Sequence, residues 1–283
     1  GIENHYIQNV DNLKNFIREF YKVSEEYEQV TMGLSKDVAA ATNEELAERL
    51  KKFTEIFNFN GTYMWATFYL NDLFSKRVGR ELQNANLTPE QEENLAAFAV
   101  TPSKLASVLL LNAEDRDIPI QELTQKFAWL TTIDVFTNSA TEKDIQERLT
   151  GEKPTIAEPP PGWVAVTVGL QEIIGLAREL TYIKDVRDDF RRKAMLGIFP
   201  LFDEIGERVG IERVRLAYLT TPEICNLLFG EALSDEFGLL ADTRKEKGFF
   251  MERVSGQLTI LDGDNIQKRM SDLGISASTE VDT

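Results

Sequence analysis

One histidine, one cysteine and no long apolar run set the first limits on what this chain of 283 residues does. A serine or cysteine nucleophile needs a base, most often an imidazole, and His5 is the single candidate. Neither a Ser-His nor a Cys-His pair is therefore supported, and a ring so near a chain end reads as a surface residue. Cys225 cannot form an internal disulfide. It falls beside Ile224, Leu227 and Leu228, the setting of an inert core thiol. The longest apolar stretches, such as residues 106–111, are far shorter than the ~20 residues that cross a bilayer. The opening GIENHYIQ also lacks a basic segment followed by an apolar one. These features predict a cytoplasmic chain with no membrane partner. G-x-S-x-G, G-x-x-x-x-G-K-[ST] and G-x-G-x-x-G are all missing, so the chain is expected to bind no nucleotide by itself.

What is present is acid, with 47 Asp and Glu against 31 Lys and Arg and a formal net charge of −16. Such a charge repels nucleic-acid phosphates, and no nucleic-acid partner is expected. At 42% hydrophobic and 28% charged, the composition is that of an ordinary globular protein with one sizeable core or two modest ones.

The apolar spacing is helical almost throughout. Leu13, Phe16, Ile17, Phe20, Val23, Tyr27 and Val30 mark one face of a first helix. Capping signals follow at Thr42 to Glu45, at Thr88-Pro89-Glu90-Gln91 and at Thr141 to Asp144. Thr101-Pro102 repeats the device with proline at the first helical position, and Thr221-Pro222-Glu223 starts a later helix. From Val166 to Ala194 a 3.6 period predicts one long helix ending near Gly197 and Pro200, with Leu201, Ile205 and Val209 in a short successor. Residues 249–254 and 257–261, flanking Ser255-Gly256, have the form of a small hairpin. The predicted fold class is mainly α, a multi-helix bundle-like domain with a small C-terminal β-hairpin. The run GEKPTIAEPPPGW, residues 151–163, continues neither helix nor central strand. It predicts an N-terminal helical subdomain over 1–150 and a C-terminal one over 164–283 that carries the hairpin near 249–261.

Three groups of residues bear on chemistry. Acidic motifs come first, and none completes a metal site. In Asp262-Gly263-Asp264-Asn265 the residue at loop position six is Gln267 instead of glycine, so a turn is favoured over a calcium loop. Asn71 to Ser75 and Asp188-Asp189 look like fragments of a terpenoid-synthase magnesium site, but Gly79 stands where a glutamate belongs and the order is reversed. No metal ligands are assigned. Second, Lys184, Arg187 and Arg191 share one helix face, where guanidinium forks suit a phosphate or carboxylate. The alternative is a solvated face laced by Lys184–Asp188 and Asp188–Arg192 pairs. Third, Phe53, Phe57, Phe59, Tyr63, Trp65, Phe68, Tyr69 and Phe74 line either a pocket for an apolar ligand or the core; Trp129 has the same two readings.

ELTYIKDVRD at 179–188, AYLTTPEI at 217–224 and DTRK at 242–245 before the hairpin together resemble the helical region of phosphoenolpyruvate-utilising phosphotransferases. That group includes phosphoenolpyruvate synthase, pyruvate phosphate dikinase and rifampicin phosphotransferase. The resemblance spans residues 170–278, with Phe127 to Leu130 extending it, and residues 274–278 look like the start of the swivelling domain that follows in these enzymes. It implies a machine in which an ATP-grasp domain takes phosphate from ATP with magnesium, a mobile histidine carries it, and a helical domain presents a small-molecule acceptor. The carrier-histidine segment and the ATP-grasp portion are missing from this sequence. The resemblance therefore implies a substrate-binding or linking domain that carries no catalytic residue or cofactor of its own, inactive in isolation, with those two domains as partners. Lys184, Arg187, Arg191, Tyr63, Trp65 and Trp129 are the expected acceptor contacts. A stand-alone protein-interaction module and a binder of an apolar small molecule are the alternatives.

Overall fold

A computed structural model describes residues 3–114, 117–149, 153–254, 257–262 and 264–274. It is mainly α. The helices are α1 Val10–Leu34, α2 Asn43–Asn84, α3 Pro89–Ala99, α4 Ser107–Ala113, α5 Ile120–Lys126, α6 Glu142–Arg148 and α7 Val168–Val209. They continue with α8 Arg213–Leu216, α9 Thr221–Leu228, α10 Ser234–Lys247 and α11 Asp264–Asp272. Strands β1 Phe249–Val254 and β2 Gln257–Asp262 pair antiparallel, Phe249 opposite Asp262 and Val254 opposite Gln257. This is the hairpin read from the sequence; its Ser255-Gly256 turn lies outside the described residues, as does most of the 274–278 run.

Helix starts follow the capping chemistry. The Thr88 hydroxyl accepts from Gln91 N and the Gln91 side chain accepts from Thr88 N, and Thr141 with Asp144 does likewise. Thr42 and Glu45 form the same reciprocal pair at the start of α2, and Thr220 with Glu223 at α9. Thr101-Pro102 starts no helix, because the Arg178 guanidinium takes the carbonyls of Thr101 and Pro102 at 3.4 and 3.2 Å and Ser103 N donates to Arg178 O. That segment is irregular, with bends at Thr101, Ser103 and Lys104, and α4 begins only at Ser107.

The chain divides into two compact units, residues 1–36 with 52–199 and residues 37–51 with 200–283. This division differs from the one expected at 151–163. Proline ends a helix without ending the packing around it. Trp163 meets Phe98 edge-on at 5.4 Å, and Arg178 donates to Ala157 O, so the proline-rich run is fastened inside the first unit. The core of that unit joins Leu13, Phe16 and Phe20 of α1, Leu70, Phe74 and Val78 of α2, Leu95 and Phe98 of α3, and Leu170, Ile174 and Ile183 of α7. A smaller cluster gathers Leu111, Leu123, Phe127, Leu130 and Ile145.

The long helix α7 runs through Pro200 instead of stopping there. Proline inside a helix costs about 3 kcal/mol, but Ile198, Phe199, Leu201, Phe202 and Ile205 are all buried around it. At roughly 1.5–3 kcal/mol each, their burial outweighs the lost backbone bond. The helix stops nine residues later, where Gly210 takes φ +69, the left-handed cap that glycine adopts without strain.

In the second unit Arg244 is the organising side chain. Its guanidinium grips both Glu223 oxygens at 2.7 and 2.9 Å and donates to Tyr218 O. Arg215 forms a second fork onto Asp242 at 2.9 and 2.7 Å. Nearby, Asn43 accepts from Arg208 and donates to Leu228 O. Cys225 is buried on α9, and burial pushes its thiol above the ordinary range against the pull of Lys51, which fits an inert core cysteine.

Candidate functional site

The middle of α2 decides where ligands can go. Aromatic side chains there fall on every side of the helix, and a helix buries only one stripe. Phe53 and Phe74 go to the core, whereas Phe59, Trp65, Phe68 and Tyr69 stay 55, 68, 41 and 65% exposed. The core reading therefore holds for Phe53 and Phe74 and not for the four exposed rings. Isolated exposed aromatics are ordinary, but four within eleven residues of one helix form a surface worth explaining.

Two cavities lie along this surface, both within the first unit. One, of about 670 Å³, is lined by Phe57, Asn58, Gly61, Thr62, Met64, Trp65 and Phe68 of α2 and by Arg187, Asp188 and Arg191 of α7. The other, of about 750 Å³, opens between α1 and α2 with Phe16, Phe59, Tyr63, Trp65 and Tyr69 in its walls. Thr62 and Trp65 line both.

The arginine cavity has an unusual electrostatic state. Arg187, for which a solvated face was the alternative to a ligand contact, is only 7% exposed. It donates through Nη1 to Met64 O at 3.2 Å and lies with its guanidinium carbon 3.3 Å from the centre of the Phe68 ring. Burial lowers its pKa while Asp188 and Asp185 oppose the shift, and a guanidinium keeps its proton at any physiological pH. Its Nε is buried with no hydrogen-bond partner, and so is Nε of Arg191. The nearest carboxylates stand off, Asp188 at 3.8 Å from Arg187 and Asp134 at 3.8 Å from Arg191. The Lys184–Asp188 and Asp188–Arg192 pairing read from the sequence is replaced by these contacts and by Arg192–Asp189 at 3.9 Å. Buried donors without acceptors are rare because each costs about 1–3 kcal/mol. Both Nε atoms are closed off within the fold, so what the two guanidinium groups offer a ligand in the cavity is their positive charge.

Of the six expected contacts, Arg187, Arg191 and Trp65 come together here, and Tyr63 lies across α2 in the second cavity. Lys184 is half-buried on α7 and lines neither. Trp129 lies elsewhere: its indole N–H donates to Lys126 O, Lys193 sits 5.0 Å over its ring, and it packs on the small cluster around Leu123 and Phe127. It is half-buried at the edge of that cluster, away from both cavities. His5 is exposed and edge-on to Tyr6, at the rim of the second cavity.

Three participants were not singled out from the sequence. Met64 and Asn58 look like ordinary helix residues, and nothing in their spacing marks them. Asp189 was noted only as one half of a failed metal motif. It is 4% exposed, and burial lifts its pKa to about 6 despite a hydrogen bond from Ser107 and the nearby Arg192 and Lys193. Among the described residues no group of three His, Cys, Asp or Glu gathers to hold a metal ion, and no helix is long and apolar enough to cross a membrane. No protein-family model matches the chain, and comparison with curated proteins and with solved structures finds no match.

Proposed function

We propose that this chain is the acceptor-presenting helical domain of a phosphoenolpyruvate synthase-like phosphotransferase, receiving phosphate from a histidine carried on a separate domain. The observation that carries the reading is the pair of guanidinium groups, Arg187 buried and Arg191 partly exposed, at one wall of an aromatic-lined cavity. A phosphoryl group in flight spreads negative charge over its outer oxygens, and fixed cations in a site shielded from water stabilise it. In the transfer, the phosphorus–nitrogen bond of the carrier histidine breaks as a phosphorus–oxygen bond to the acceptor forms. The acceptor hydroxyl releases its proton, and Asp188 is the carboxylate lining that cavity. ATP and magnesium belong to the nucleotide domain of the parent enzyme, and their chemistry is finished before this step.

Because Arg187 is buried and braces Phe68, its replacement by glutamine disturbs the fold; Arg187→Lys keeps the charge, and Arg191→Gln removes a charge that is partly exposed. In the intact parent enzyme, Arg191→Gln should slow transfer from phosphohistidine to acceptor by about 10- to 100-fold while phosphorylation of the histidine by ATP continues at its normal rate. Arg187→Lys should behave in the same direction, since an ammonium cannot reproduce the fork. Equal loss of both half-reactions, or loss of neither, overturns the proposal.

A further inference from the structure

We infer that the cavity between α1 and α2 binds an organic cation, an apolar body carrying a protonated or quaternary amine. Charge argues first. Glu19 contributes the only carboxylate among the residues lining this cavity, no lysine or arginine joins it, and Glu19 has no ion-pair partner among the described residues. The one basic group next to it in sequence, Arg18, is turned to the side-chain oxygen of Asn15. Ring geometry argues second. Phe16 and Tyr63 lie nearly parallel, 5.9 Å apart at 19°, with Phe59 edge-on to Tyr63 at 5.6 Å. Trp65 and Tyr69 add largely uncovered rings to the same space. Phe16 and Tyr63 cover each other's faces and floor the cavity, so the open faces are those of Trp65 and Tyr69; the negative face of such a ring attracts a cation, most strongly for Trp. Size argues third, since about 750 Å³ fits a drug-sized molecule and exceeds what an inorganic ion needs. The chain's net charge of −16 raises the local concentration of any cation.

Thr62 and Trp65 face both cavities. On the function proposed above, the cation is the acceptor's body, seated on one side of Trp65, with its hydroxyl reaching the arginine cavity on the other. That clause rests on the phosphotransfer reading; the binding itself does not.

The test uses this chain without ATP or a partner domain. Benzyltrimethylammonium is titrated while tryptophan fluorescence is followed, beside its uncharged counterpart neopentylbenzene and the anion benzylsulfonate. The ammonium should quench saturably and bind at least about tenfold more tightly than either, the worth of one carboxylate and a few exposed ring contacts. Glu19→Gln, followed by the same quenching, and Trp65→Leu, followed by calorimetry because it removes the cavity's own tryptophan, should each weaken it by about two- to fivefold, with circular dichroism unchanged because both residues are exposed. The assignment is overturned by equal binding of all three probes, by no saturable quenching at millimolar ammonium, or by Glu19→Gln binding as the parent does. Loss of the phosphotransfer reading would show only in the half-reactions, so the two failures are separable.

Discussion

Replacing Arg244 with methionine should unfold the second unit at markedly lower denaturant while leaving the first in place. The guanidinium has a side-chain exposure of 3%, so its fork onto Glu223 is shielded, whereas the Glu223 side chain is 21% exposed and regains some water when abandoned. Breaking a fully buried pair by removing one partner costs about 3–5 kcal/mol; the partial exposure of Glu223 puts this case near ~3 kcal/mol. With an m-value of about 2 kcal/mol/M in urea, the midpoint falls by ~1.5 M. The sequence supplies its own probes. All three tryptophans, Trp65, Trp129 and Trp163, lie in the first unit, while the lone cysteine, Cys225, is buried in the second. Thiol labelling therefore reports the second unit and tryptophan fluorescence the first. Glu223→Gln added to Arg244→Met should recover part of the loss, because no carboxylate is then left without its partner. The pair also sets a pH dependence. Burial works to raise the Glu223 pKa, but the hydrogen bonds from Arg244 and Thr220 outweigh it and hold the pKa below 4.5. Its contribution is thus present above pH 4.5 and is lost as pH falls through the folded value. A labelling midpoint lowered by less than ~0.5 M would refute the reasoning, since the fork would then be worth no more than a surface ion pair.

Asp189 gives the opposite sign. Its folded pKa of about 6 exceeds the ordinary 3.8, so the stability linked to it is complete below pH 3.8 and is lost as pH rises through 6. Asp189→Asn should raise stability at pH 7.5 by about 2–3 kcal/mol and flatten the slope between pH 4 and 6, as read by urea titrations at several pH values. Gly206→Ala should destabilise by about 1–3 kcal/mol, because the new methyl would sit 2.6 Å from the carbonyl oxygen of Ile211; circular dichroism melting checks it, and an unchanged melt would show that the turn yields.

Much of the fold was legible because its signals are local. Capping boxes declare themselves within four residues, and the α1 face repeats at a spacing that any core-facing helix must keep. Errors arose where a local rule met a distant partner. Pro200 is a helix breaker by its own chemistry, and only the apolar residues buried around it make the helix continue. Thr101-Pro102 carries a valid start signal that Arg178, seventy-odd residues later, cancels by taking its carbonyls. The division of the chain failed to show for the same reason. Two of its boundaries fall inside the continuous helices α2 and α7, and the one in α7 comes at Pro200, whose signal reads as the end of a helix and not as the edge of a unit.

The site was legible in its charges and illegible in its burial. A run of basic residues at helical spacing suggests one face, yet Arg187 and Lys184, three residues apart, end in different surroundings: one is buried against Phe68 and the other lines neither cavity. The difference comes from α2, whose aromatic excess no single core could absorb. Those exposed rings, and not the arginines alone, turn the α7 face from a solvated surface into a cavity wall. The segments that carry the phosphotransferase resemblance divide along the same line. Glu223 and Arg244 are fully engaged with each other, which accounts for them as architecture. Arg187 and Arg191 line a cavity. A residue whose bonding is complete within the fold has discharged its physical role there, whereas a guanidinium at a cavity wall still has charge to offer a ligand. On the proposed function, that asymmetry makes Arg191, and not the Arg244 fork, the place where removing a charge should change transfer more than it changes folding.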